Sequence, residues 1–379
     1  MAANDRRPSR RDDTIGRMQA INIIRTDGEL AQFIGALGPS DWVSIDTEFV
    51  RERTYAPLLC LIQMTGGGQA SCIDPLAVED LSPLGELLAD PARSKIFHSC
   101  RQDLEALDTR LAVRARNLYD TQLAAAFCGY GDQVGYALLV ESICAVQLAK
   151  AHTRADWSRR PLPPAELQYA VEDVQFLHPI RRQLDRLLEQ KGCLEWHRTE
   201  CAHAADPANH RFDPDTAWLK LKGAARLDAV GQTCAKKLMR WREHEARERN
   251  LPRGWVMADR TLIDICRKRP NTPPKLIKIR GIGPSLAKRY GPHILTMVAE
   301  SKSRAPGLTG LPLLNADDRH RARQILSLVA DLAEQTGISR TFIASRHEVE
   351  NFVRGQTEQR LFQDWRLQLV GKEILARYS

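Results

Sequence analysis

SIDTEF, residues 44–49, sets an aspartate and a glutamate two apart within DWVSIDTEFV, a stretch that otherwise reads as a buried strand. Residues i and i+2 of a strand share a face, so Asp46 and Glu48 project side by side while Ile45, Thr47 and Phe49 face the other way. Two like charges so placed repel each other, and a divalent metal between them relieves the repulsion. The hexapeptide alone is equally compatible with two ordinary surface acids at a solvated strand end.

Working outward, TDGELAQFIGAL reads as a helix capped near Thr26 or Asp27. PLLCLIQMT and QASCIDP read as two further strands, joined as a hairpin through the glycines at 66–68. That glycine run lacks a following G-K-[ST], so it is a turn and not a phosphate loop. A helix near 79–89, a short strand SKIFHS and a helix RQDLEALDTRL come next. The hairpin start and the lack of G-x-G-x-x-G after the first strand disfavour a dinucleotide fold. From about residue 120 the pattern turns helical, and the long amphipathic stretch PAELQYAVEDVQFLHPIRRQLDRLLEQ is interrupted by Pro179.

Two polar breaks, HAADPANHRFDPDT (203–216) and SRAPGLTGLP (303–312), read as linkers. The expected fold class is an α/β domain of mixed sheet and helices followed by two small all-α domains. The expected divisions are a polar tail at 1–20, then 21–205, 211–300 and 311–379. Every catalytic candidate below precedes the first linker, so a chain ending near residue 208 is expected to keep its chemistry.

A chain of 379 residues, 43% hydrophobic, can fill several cores. Its first residues, MAANDRRPSRRDD, have no apolar h-region, and no run of about 18 apolar residues follows anywhere. The nine cysteines form no C-x-x-C pair, which reads as reduced thiols in a cytoplasmic protein. Nothing suggests an obligate interface, so a monomer is expected. The net charge of +8 is unevenly spread: residues 219–304 hold 21 Lys and Arg against 7 Asp and Glu, and the remainder is slightly acidic. A polyanion would bind the basic block; the plain alternative is a soluble helical surface.

Two more acids stand in suggestive settings. Asp103, in FHSCRQDLEAL, opens a helix that leaves a strand, and Asp173, in YAVED, lies one helical turn after Tyr169. Hydrolysis of a phosphodiester needs an activated water and a stabilised leaving oxygen, which two metal ions about 4 Å apart supply when about four carboxylates hold them. Tyr169 is placed to orient the attacking water.

DTEF, HSCRQDLE and YAVED resemble, in order, the three exonuclease motifs of the DEDD superfamily, in its tyrosine-bearing branch, and the whole chain is similar to the ribonuclease D family. The resemblance implies an RNase H-like fold, two Mg²⁺ or Mn²⁺ ions, and 3′→5′ hydrolysis that releases 5′-mononucleotides from RNA 3′ ends, precursor transfer RNA among them. Carried over by position, Asp46, Glu48 and Asp173 would hold one ion. Asp46 would bridge to the second, which Asp103 would bind directly or through water. The pattern extends to TRADWSRRPL (153–162), where Arg154, Trp157 and Arg160 are candidates for stacking and charge contacts with RNA, against a loop that merely packs over the helices.

Residues 212–293 resemble an HRDC domain, and GIGP at 281–284 suits a helix-hairpin-helix turn whose amides meet phosphate. Lys278, Arg280, Gly281, Gly283 and Lys288 are the RNA-binding candidates there. The last block resembles a second, looser HRDC domain without the basic excess, and is assigned packing or substrate orientation. Two alternatives accompany this reading: a DNA 3′→5′ exonuclease using the same carboxylates, and a non-catalytic RNA-binding protein, against which the complete acid set argues. Asp120 reads as a helix cap. Cys193, His197 and Cys201, with His203 nearby, read as a packing face, because positions i and i+8 of one helix lie about 12 Å apart and cannot close on one zinc ion.

Overall fold

The computed structural model describes residues 21–68, 70–148, 155–209, 213, 217–303 and 314–378; the expected tail at 1–20, Arg154 and parts of both linkers lie outside these. In chain order the first domain runs β1 (Asn22–Ile24), α1 (Asp27–Ala36), β2 (Trp42–Val50), β3 (Leu58–Thr65), β4 (Ser71–Ile73), α2 (Ser82–Ala89), β5 (Ser94–Phe97), α3 (Arg101–Leu111) and β6 (Leu118–Asp120). Helices α4 (Thr121–Cys128), α5 (Tyr136–Cys144), α6 (Pro164–Gln175), α7 (Leu177–Lys191) and α8 (Leu194–Ala204) follow. Thr26 caps α1 with a full capping box: its side chain accepts from Glu29 N, and Glu29 returns to the Thr26 amide.

The strands form one sheet in the order β1-β4-β3-β2-β5-β6. β3 pairs antiparallel with β2 and β4, as its hairpin dictates. β1–β4, β2–β5 and β5–β6 are parallel. Alternation divides β2 between two faces. Val43 and Ile45 enter the core with Leu30, Leu84 and Leu104 of α1, α2 and α3, whereas Asp46 and Glu48 turn toward α6. The helical interruption expected at Pro179 falls at Phe176 instead. A proline ring collides with the carbonyl four residues back, here that of Gln175, so α6 ends before it. Pro179 then sits in the first turn of α7, where no amide hydrogen is needed.

The basic block folds as α9 (Ala229–Glu248), α10 (Arg253–Val256), α11 (Asp259–Lys268), α12 (Pro273–Ile277) and α13 (Pro284–Ser303). Its own core includes Trp218, Leu238, Leu262, Ile265 and Ile294. It docks on the first domain through Tyr55, whose amide donates to Asn250 Oδ1 at 3.1 Å. The Tyr55 hydroxyl bonds Glu243 and its ring lies under Arg253. Between α12 and α13, Gly281 holds φ +90°, and a Cβ there would stand 2.3 Å from Thr261 Oγ1. No other residue fits that turn.

The last block, α14 (Ala316–Thr336), α15 (Arg340–Ile343), α16 (Arg346–Val353), α17 (Asp364–Arg366), a π-helical turn (Leu367–Gly371) and α18 (Lys372–Tyr378), buries apolar side chains that run on into the core of the first domain. Ile325, Val329, Phe342 and Ile374 share one cluster with Phe127 of α4 and Leu177, Ile180 and Leu184 of α7. Phe127 meets Phe342 edge-on at 4.9 Å, and Trp196 stacks on Trp365 at 5.2 Å. Beside them the buried Arg366 pairs with Glu200 of α8, which also accepts from Trp365 Nε1 at 2.8 Å. A chain ending near residue 208, expected to keep its chemistry, would do so without these contacts to Phe127, Trp196 and Glu200. Such a cut would bare Phe127, which meets Phe342 and Trp365, and a fully buried side chain of this size contributes about 1.5–3 kcal/mol. Among the described residues no helix is long and apolar enough to cross a membrane.

Candidate active site

Asp46 and Glu48 leave β2 on the face covered by α6, and α6 supplies Asp173. One carboxylate oxygen from each lies within 4.8 Å of the others, and among the described residues no second group of His, Cys, Asp and Glu converges in this way. Tyr169, one turn before Asp173 on α6, donates a hydrogen bond to it.

Asp103 stands beside this trio rather than within it. It is buried in the first turn of α3, where Thr47 Oγ1 donates to its Oδ1 at 2.6 Å. Thr47 points to the opposite face from Asp46, so Asp103 reaches β2 from the α3 side. Its charge nonetheless raises both Asp46 and Glu48. Arg51, just beyond β2, grips Glu105 two residues after Asp103, with Nη1 to Oε2 at 2.8 Å. That ion pair ties the end of the strand to the helix that carries the fourth acid.

Burial, then mutual repulsion, holds Asp46 well above the usual carboxylate range. Glu48 is pushed up to about 8 by burial and by Asp173, Asp103 and Glu166. Burial lifts Asp103 to about 7 against the Thr47 hydrogen bond, and lifts Asp173 to about 7 against the Tyr169 hydrogen bond. Burial and the neighbouring Asp173 push the Tyr169 phenol up, which keeps its proton in place as a donor. Glu166, one turn before Tyr169, has a buried Oε2 with no hydrogen-bond partner. An all-oxygen donor set, partly buried and short of countercharge, fits a hard divalent cation.

The loop candidates fare differently. Trp157 is only 5% exposed and packs with Leu162, Leu167 and Ala170, its ring 6.3 Å from that of Tyr169. It has no free face for a base, so the stacking expectation is corrected: Trp157 supports Tyr169 from behind. Arg160 is likewise corrected. Its Nε and Nη2 bond both Asp74 oxygens at 2.6 and 2.7 Å, Nη2 also bonds Cys60 O, and Nη1 bonds the Trp157 and Arg159 carbonyls. All five guanidinium hydrogens are thereby engaged within the protein. Lys278, Arg280, Gly281, Gly283 and Lys288 are exposed around the turn between α12 and α13.

Asp120 caps α4, accepting from Gln122 N and Leu123 N. The His197 ring lies 3.1 Å from Asp120 O, and Cys201 Sγ accepts from Asp120 N, so that helical face serves packing. Thr47, Arg51, Glu105 and Glu166 escaped the sequence reading. Thr47 sits between the two acids, but its partner lies 56 positions away and nothing local announces it.

Comparison with known proteins gives a consistent picture. Residues 21–189 match the 3′-5′ exonuclease family and residues 231–298 match the HRDC domain. Ribonuclease D of Granulibacter bethesdensis is 36% identical over 372 residues, covering 95% of this chain and 93% of its own. That of Acidiphilium cryptum is 36% identical over 93% of this chain and 92% of its own. The crystal structure of Escherichia coli RNase D, an exoribonuclease involved in structured RNA processing, superposes with a TM-score of 0.85 at 31% identity, covering 94% of this chain and 98% of that one.

Proposed function

The chain belongs to the ribonuclease D family, and from that membership we propose that it shortens structured RNA from the 3′ end, releasing 5′-mononucleotides. The observation that carries the reading is the convergence of Asp46, Glu48 and Asp173 within 4.8 Å, with a protonated Tyr169 bonded to Asp173. Asp46, Glu48 and Asp173 would hold one divalent ion, and Asp46 with Asp103 a second. Bound there, the ions would polarise the scissile phosphate and lower the pKa of the attacking water. Asp46 and Glu48 are fixed by the sheet and Asp173 by α6, so the donors are preorganised. Tyr169 keeps its hydrogen and orients the attacking water.

The substrate favoured here is RNA with base-paired regions, precursor transfer RNA being the expected physiological case. The exposed Lys278, Arg280 and Lys288, with the Gly281–Gly283 turn, would meet backbone phosphates at a distance from the cut. We take residues 21–205 as the catalytic domain, 211–300 as a basic RNA-gripping domain and 311–379 as a helical buttress to the first, in a monomer working in the cytoplasm. Equal amounts of a 5′-labelled RNA hairpin with a single-stranded 3′ tail and its DNA counterpart, followed with and without Mg²⁺, test the reading. Metal-dependent shortening of the RNA in single-nucleotide steps supports it; faster shortening of the DNA would favour the DNA exonuclease instead.

A further inference from the structure

α6 and α7 are nearly one helix, broken at Phe176, three residues past the end of the YAVED motif. In an unbroken helix the Phe176 amide would donate to the Glu172 carbonyl. Here the Tyr136 hydroxyl stands between them, donating to Glu172 O at 2.9 Å and accepting from Phe176 N at 3.2 Å. A side chain inserted into the ladder in this way opens the turn. Asp173 lies inside that opened turn, and the phenol is close enough to Asp173 and Asp46 to feel their charge.

Tyr136 is itself held firmly. It is the first residue of α5, and the carbonyl two residues before it, that of Val134, accepts from His98 Nε2 and from Gln122 Nε2, both at 3.0 Å. The His98 ring tilts against the Tyr136 ring with centroids 5.6 Å apart, and His98 follows directly on β5. The sheet thus reaches α6 through His98 and Tyr136 as well as through direct packing.

We propose that Tyr136 is a positioning residue for Asp173: its hydroxyl, bridging Glu172 O and Phe176 N, sets the turn that aims Asp173 at Asp46 and Glu48. This rests on the metal-site reading above and adds a residue from outside the three motifs. Removal of a group that orients a metal ligand costs about 10- to 100-fold in metal affinity or activity. Tyr136→Phe keeps the ring against His98 and removes only the bridge. Its Mn²⁺ affinity, measured by calorimetry without RNA, is expected to fall about tenfold, and kcat about 10- to 100-fold with KM for RNA nearly constant.

Leu139→Ala, on the same helix and fully buried, is the structural control. It should lower Tm at least as much while leaving Mn²⁺ affinity unchanged. Mn²⁺ affinity in Tyr136→Phe equal to the wild type, or an equal loss in Leu139→Ala, would overturn the inference. The Phe176 amide gives a readout that needs no variant: it should exchange slowly in the wild type, and fast exchange would also overturn it. A wild type that binds no Mn²⁺, or Asp46→Asn that binds it normally, would instead sink the metal-site reading and the inference with it.

Discussion

Replacing Asp46 by Asn should make the metal-free protein more stable while removing its activity. Asp46 is ringed by Asp103, Asp173 and Glu48, and burial and repulsion hold its carboxyl well above the usual range. Glu48 shows the scale: a shift from 4.5 to about 8 corresponds to on the order of 5 kcal/mol between its two protonation states. A carboxylate with a raised folded pKa binds more protons in the folded than in the unfolded chain, so stability is full below about pH 4 and falls as pH rises toward 8. Asparagine has the same shape and no charge, and burial, the larger cause, acts on it less. A gain of about 2 kcal/mol near pH 8, or roughly 4–6 °C in Tm, is expected. The gain should shrink toward zero by about pH 4.5. Saturating Mg²⁺ should reverse the order, because a ligand at 100 times its Kd stabilises the wild type by about 2.7 kcal/mol and the variant far less. Thermal scans from pH 4.5 to 8.5, in EDTA and in Mg²⁺, read both effects. A metal-free Asp46→Asn less stable than wild type at pH 8, or an equal Mg²⁺ response in both proteins, would refute the reasoning.

Tyr169→Phe should lower kcat by about 10²–10³-fold with Mn²⁺ affinity unchanged, as expected of a group that orients water; a large shift in the Mn²⁺ titration would make Tyr169 a support of the site instead. Arg366→Met leaves Glu200 buried without its guanidinium, which should cost about 3–5 kcal/mol and free the last block from the first domain. Calorimetry and proteolysis at the 303–312 linker check this, and an unchanged Tm would contradict it. The triple change of Lys278, Arg280 and Lys288 to Ala should flatten the slope of log K against log [salt] for single-stranded RNA by about 2, since each lost phosphate contact accounts for roughly 0.7. An unaltered slope would mean these exposed side chains touch no phosphate.

What was legible in the sequence followed local rules. Period-two alternation put Asp46 and Glu48 on one face, and i, i+4 spacing put Tyr169 beside Asp173, with no knowledge of the rest of the fold. The capping box at Thr26 and the Asp120 cap were readable for the same reason. β1 and β6, at three residues each, carry too few positions for alternation to register, and unlike the equally short β4 they have no glycine hairpin turn to announce them. Trp157 and Arg160 were misjudged because their residue types serve a core or an RNA equally well. The choice was made by Asp74, 86 positions from Arg160, and by the α6 side chains that enclose Trp157. The contact of the first domain with residues 314–378 was invisible for a related reason: Phe127 and Trp196 are plainly apolar, but nothing local names Phe342 and Trp365 as their partners.

The most direct test of the account is the product formed from a 5′-labelled RNA with a free 3′-hydroxyl by the wild type and by Asp46→Asn, each in Mg²⁺ and in EDTA. The account predicts a ladder shortening from the 3′ end, with 5′-mononucleotides as the released product, from the wild type in Mg²⁺ alone. Internal fragments, cleavage in EDTA, or an Asp46→Asn rate above about a tenth of wild type, where loss of a metal ligand should remove several kcal/mol of transition-state stabilisation, would contradict it.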